Sequence, residues 1–157
     1  MIGKKRKLGK HIQELAVGDS YRAVKTIEDR DILLYLGLTD DANPLYIQHD
    51  YASQTPYKQP VVPSTMLIGI ASSMVSMHLP GPGCHILEHH LKYPNPVYHY
   101  SEIEVELEVV RIQEDDSTIT IRVIGKSDNL TALEGTFLVK PAAELESLTA
   151  RSLQNFN

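Results

Sequence analysis

Ser64-Thr65-Met66-Leu67-Ile68-Gly69-Ile70-Ala71-Ser72-Ser73-Met74-Val75-Ser76-Met77-His78-Leu79 is the stretch on which the fold turns. Met66, Leu67, Ile70, Ala71, Met74, Val75 and Met77 cover most of a helix circumference. A helix apolar nearly all round is a buried one. Pro63, Gly69 and the serines at 64, 72, 73 and 76 interrupt its apolar run, so it reads as a core helix and not as a membrane span. Pro80-Gly81-Pro82-Gly83 stops it sharply.

Strand patterns flank this helix. After it, Ile103, Val105, Leu107 and Val109 alternate with Glu102, Glu104, Glu106 and Glu108, which predicts a strand with one wet face. Asp115-Asp116 marks a turn, and Thr118 to Ile124 alternates again. Ser127 to Asn129 marks another turn, and Leu133, Phe137 and Val139 belong to a last strand. His85 to Tyr93 precedes these as a further strand. Before the helix, Ser20 to Thr26 predicts a first strand. A short helix is then expected from Ile27 to Leu36, with Thr26 as N-cap and Asp29 completing a capping-box variant. Ile32, Leu33 and Leu36 would form its apolar face and Gly37 its end. One long buried helix with a mostly antiparallel sheet is an α+β domain.

Composition narrows the class. The chain has 157 residues, 42% of them hydrophobic, enough for one domain with a real core. A net charge of −5 argues against a nucleic-acid partner held by bulk electrostatics. A basic run, Lys4 to Lys7 with Lys10 behind it, reads as a solvated, mobile terminus, the competing readings being an address signal or an anion-binding arm. No apolar segment follows it, so neither a signal peptide nor membrane attachment is expected. With Cys84 as the one cysteine, no intrachain disulfide can form, and a cytoplasmic setting fits. The expected division is a basic flexible segment over 1–14, a domain over 15–141 and a tail over 142–157 with a frayed helical turn.

The loop Thr39-Asp40-Asp41-Ala42-Asn43-Pro44-Leu45-Tyr46 concentrates chemistry: adjacent carboxylates, an Asn-Pro turn and a phenol. The plainer reading is an Asx-type turn before a short helix. The functional one is a carboxylate held rigidly to handle a proton. Asp41-Ala42-Asn43-Pro44-Leu45 resembles the core of the hydratase motif of MaoC-like proteins, and Tyr51-Ala52 matches a later part of it. Leu15-Ala16-Val17-Gly18-Asp19 resembles that family's opening turn, and Met66-Leu67 the start of its central helix. Leu79 to Gly83 resembles its post-helix loop, and Leu91 to Tyr98 its strand into a Pro-Val pair.

The resemblance implies a hot-dog fold, a curved antiparallel sheet wrapped around one long helix, in a homodimer or higher homo-oligomer. It implies acyl thioesters of coenzyme A or an acyl carrier as substrates and no metal or redox cofactor. The reaction would be reversible hydration of a trans-2-enoyl thioester to an (R)-3-hydroxyacyl thioester. Asp41 would be the base, assisted by Asn43. Ser64, Thr65 and Met66, at the N-terminus of the central helix, would bind the substrate, because free helix N–H groups stabilise developing negative charge.

Four positions depart from the family pattern: Asp40 and Thr65 replace glycines, Tyr46 replaces the motif histidine, and Ser64 stands at a second family histidine. A phenol titrates near pH 10 and an imidazole near pH 6.5. Tyr46 is therefore expected to orient and not to exchange a proton, in a weakened hydratase. The competing readings are a non-catalytic acyl-thioester-binding protein, as sensor or partner subunit, and an acyl-CoA thioesterase. His49 sits one helical turn beyond Tyr46 as a substitute histidine or a surface residue. His85 and His89 would share one strand face, and Cys84 reads as buried and inert.

Overall fold

The computed structural model describes residues 7–144. The basic residues Lys4 to Arg6, and the tail where a frayed turn was expected, lie outside the described residues. Five strands, β1 (Ser20–Thr26), β2 (His85–Lys92), β3 (Glu102–Gln113), β4 (Thr118–Ser127) and β5 (Leu130–Lys140), form one antiparallel sheet in the order β1-β3-β4-β5-β2. Four helices, α1 (Asp29–Thr39), α2 (Pro44–Ile47), α3 (His49–Ser53) and α4 (Ser64–Met77), lie between β1 and β2 in the chain.

The alternation read in β3 is the core. Ile103, Val105, Leu107 and Val109 are fully buried, with Ile119, Ile121 and Val123 from β4 and Leu133, Phe137 and Val139 from β5. Against them α4 packs Leu67, Ala71, Met74 and Val75. Register shifts at Val109/Arg111, Gly125/Lys126 and Ile86/Glu88 help the sheet curl around this helix. The result is the α+β hot-dog architecture. On the wet face Arg22 pairs with Glu104 and Arg122 with Glu108.

Several expectations are corrected. The helix α4 is buried on one side only: Thr65, Gly69 and Ser73 are exposed along a groove. The helix α1 begins two residues later than read, because Thr26 is held in β1 by pairing with Glu102. Its capping box is instead Glu28 with Asp31, whose carboxylate accepts from the Glu28 N–H at 3.1 Å. Of its expected face, Ile32 is buried and Leu36 packs on the core, but Leu33 is 66% exposed. The helix also runs through Gly37 and closes at Asp40, a left-handed residue at φ 56 whose N–H donates to the Leu36 carbonyl.

An L side chain in that conformation is strained, which is why glycine suits such a position. Asp40→Gly is expected to raise stability by about 0.5 kcal/mol, and Asp40→Val to lower it by ~1 kcal/mol or more. Denaturant melts of the two variants should bracket the parent.

Candidate active site

Backbone hydrogen bonds gather the site from three segments. The Val61 N–H donates to the Leu45 carbonyl at 3.1 Å, tying the motif loop to the segment entering α4. The Val62 N–H donates to the Val97 carbonyl at 2.7 Å, adding the Tyr93–Tyr98 segment. Within the loop, Asn43 caps α2: its Oδ1 accepts from the Leu45 N–H at 3.0 Å, and Pro44 supplies a first helical residue with no N–H to satisfy. The Asp41 N–H is held by Thr39 Oγ1 at 3.3 Å.

The Asp41 carboxylate is half-buried. The Tyr35 hydroxyl donates to its Oδ2 at 3.3 Å and also lies in a short hydrogen bond with Thr65 Oγ1. Through Tyr35 the loop carboxylate is thus joined to the first turn of α4. No side chain caps that turn, because Pro63 stands at the cap position. Tyr46 stands in the same neighbourhood. Burial pushes its phenol above the usual value, the negative charge of Asp41 pushes it further, and a hydrogen bond with Asn43 pulls partly back. Tyr46 is therefore a neutral hydroxyl, fit to orient a partner and unfit to act as a base.

Cavities open on both sides of the N-terminus of α4. Ser64 and Tyr46 line a slot of about 210 Å³ with Tyr57, Tyr93 and Asn95. Thr65 and Met66 line an apolar groove of about 690 Å³ with Tyr35, Leu34, Leu38 and Ile70. Of the expected site residues, Tyr46 and Ser64 share the slot and Thr65 and Met66 share the groove. Asp41 lines neither and reaches the helix end through Tyr35, while Asn43 shapes the loop as the cap of α2. His49 is exposed on α3. His89 tilts against Phe137, ring centroids 5.8 Å apart, and the register shift between Ile86 and Glu88 breaks the alternation that would align it with His85. Cys84 is half-buried, and burial raises its thiol above the usual range, which suppresses the reactive thiolate.

Sequence reasoning missed Tyr35 and His99. Tyr35 had a usable signal, lying four residues before Thr39 on the same helix face, one turn from the loop. For His99 no local signal exists. It lies in the shell behind the motif loop, its side chain 15% exposed, and its Nε2 is buried without a hydrogen-bond partner among the described residues. Burial lowers its pKa; Asp29 and the Val61 and Tyr46 carbonyls oppose this, and His49 adds to it.

The native state therefore prefers neutral His99. Unfolded chains protonate it below about pH 6.5, so its contribution is complete above that pH and is lost as pH falls toward the native value. The denaturation midpoint is expected to drop between pH ~7.5 and 5.5, and His99→Gln should flatten that slope. The lowered carboxyl groups of Asp19 and Asp31 act only at more acidic pH.

Fold and site together define a hot-dog protein with a carboxylate beside a helix N-terminus. A MaoC like domain model matches residues 13–129, and the chain belongs to the MaoC-like family. An (R)-specific enoyl-CoA hydratase of Aeromonas caviae is 30% identical over 130 residues, 82% of this chain and 96% of the relative. A 3-hydroxybutyryl-CoA dehydratase of Methylorubrum extorquens is 25% identical over 130 residues, 83% of each chain. The solved (R)-hydratase from A. caviae involved in PHA biosynthesis superposes with a TM-score of 0.79 at 28% identity, covering 82% of this chain and 98% of that one.

Proposed function

We propose that this chain catalyses the reversible hydration of a trans-2-enoyl thioester of coenzyme A, or of an acyl carrier, to the (R)-3-hydroxyacyl thioester. The observation that carries the reading is the hydrogen-bonded link from Asp41 through Tyr35 to Thr65, at an uncapped helix N-terminus beside an apolar groove. Asp41 accepts a proton from water as the oxygen bonds to C3. The C2–C3 π electrons move toward the thioester carbonyl, giving an enolate oxygen. The N–H groups of the first turn of α4 stabilise that charge, and C2 then takes a proton from the site. No step calls for a metal or redox cofactor. Val24, Leu34, Leu38, Met66 and Ile70 along the groove suit an apolar acyl chain.

Asn43 shapes the loop and Tyr46 orients. With a neutral phenol where the motif has histidine, turnover is expected to be weak. Purified protein incubated with crotonyl-CoA should slowly yield (R)-3-hydroxybutyryl-CoA. Tight acyl-CoA binding without turnover would favour the thioester-binding reading, and release of free coenzyme A thiol the thioesterase.

A homodimer goes with this reading. Leu33, Leu34 and Leu38 are 66%, 72% and 85% exposed on α1, and β1 and β2 leave free sheet edges. Such surfaces are normally covered. Light scattering at micromolar concentration should give twice the chain mass; the chain mass itself would exclude a stable dimer. Among the described residues no helix is long and apolar enough to cross a membrane. A cytoplasmic place, in keeping with the single cysteine, belongs to the same proposal.

A further inference from the structure

The hydration scheme leaves open which group delivers the proton to C2. Tyr35 touches everything that such a group must touch. Its hydroxyl donates to Asp41 Oδ2, meets Thr65 Oγ1, and lines the groove beside the first turn of α4. A phenol carries one proton, and an ionised carboxylate carries none. The proton in the Tyr35–Asp41 bond therefore belongs to Tyr35, and the proton in the Tyr35–Thr65 bond comes from Thr65. The chain of donation has one direction, from Thr65 to Tyr35 to Asp41.

We propose that Tyr35 is the acid that protonates C2, resting on the hydratase reading of the site. Asp41 takes the proton of the attacking water while the water oxygen bonds to C3. The Tyr35 O–H bond breaks, and its proton bonds to C2 with the electron pair of the enolate. The phenolate so formed takes the proton now on Asp41, across the bond they already share. One water has been added, and Tyr35 and Asp41 return to their starting states.

Thr65 has a defined part in this circuit. Its hydroxyl donates to the Tyr35 oxygen and stabilises the transient phenolate, as does the positive end of α4. Two departures from the family pattern thereby become connected. Tyr46 lacks the motif imidazole, and the hydroxyl that Thr65 brings to a glycine position is the one that supports the replacement acid. A phenol is a poor base at neutral pH, but as an acid it is always loaded. That asymmetry is what protonation of an enolate carbon requires.

The test is a kinetic split in the full chain. Crotonyl-CoA hydration is measured for the parent and for Tyr35→Phe, Thr65→Val and Thr65→Ser, with butyryl-CoA binding and melting temperature measured alongside. Tyr35→Phe is expected to lower kcat by about 10²–10³ while butyryl-CoA affinity stays within about threefold. Thr65→Val should lower kcat about tenfold, and Thr65→Ser should restore it. Parent activity with an unchanged kcat in Tyr35→Phe would overturn the proposal and leave the hydratase reading standing. A loss confined to KM, or matched by equal loss of butyryl-CoA binding, would also overturn it by making Tyr35 a wall of the groove. No hydration by the parent would remove the hydratase reading itself, and the proposal with it.

Discussion

Asp41→Asn is expected to lower crotonyl-CoA hydration by about 10²–10⁴, to the limit of detection for an already weak enzyme. The substitution keeps shape and still accepts a hydrogen bond from Tyr35, so the loop and its link to α4 should hold. Only the ability to take a proton from water is removed. Acyl-CoA binding and the melting temperature should therefore stay close to the parent. Tyr46→Phe should change the rate much less, because a phenol kept neutral by burial and by the charge of Asp41 is no base at neutral pH and serves here to orient. Tyr46→His should raise the rate, by placing an imidazole beside the same carboxylate. Full activity in Asp41→Asn, with loss only when His49 is changed, would move the catalytic centre one turn along.

Gly135→Ala is expected to be among the most damaging substitutions in the chain. Gly135 sits in β5 at φ +150, and a Cβ there would lie 1.9 Å from the His90 carbonyl oxygen. That oxygen belongs to the backbone of β2, the strand paired with β5 through Leu91 and Gly135. No side-chain rotation relieves the clash, so the strands must part where β2 is held to the sheet. The cost should be about 3 kcal/mol or more, added to the strain of an unfavourable φ. Urea unfolding of Gly135→Ala should show a much lower midpoint, or no folded baseline at all. A midpoint near the parent would show that β2 yields more easily than this register implies.

Most of the architecture was legible because its signals are periodic and local. The Glu102–Val109 alternation placed a strand whose inner residues are all fully buried, and Ser20–Thr26 was read at its true limits. The errors fall where tertiary structure overrides a local preference. Thr26 has the chemistry of a cap, but pairing with Glu102 extends the strand through it, and a less favoured glutamate takes the cap. Gly37 has the chemistry of a helix end, but the helix continues and strains Asp40 instead. Four leucines crowd α1, and nothing in their spacing says that Leu33, Leu34 and Leu38 point away from the core.

The site divides along the same line. Asp41, Asn43 and Tyr46 form one contiguous loop, so their proximity could be read directly. Thr65 is 24 positions from Asp41, and its approach depended on family resemblance (65 minus 41). Tyr35 lies one helical turn before Thr39, which hints at its nearness to the loop, but it is the fold that turns its hydroxyl toward Asp41. His99 is brought behind the loop by the pairing of Val61 with Tyr98, which no sequence pattern announces.

The unequal anchoring of the two groove walls gives them unequal lifetimes. The helix α4 buries Leu67, Ala71, Met74 and Val75, so its amides should exchange with solvent only in openings close to global unfolding. The helix α1 buries Ile32 alone, so its amides should exchange through smaller and more frequent openings. The Tyr35–Thr65 bond joins the slow wall to the fast one, and each opening of α1 would break it. A ligand seated between them would favour the closed state and lengthen the α1 exchange times by mass action, with little change in α4. The groove's width is thus set by an equilibrium on one side and by the core on the other.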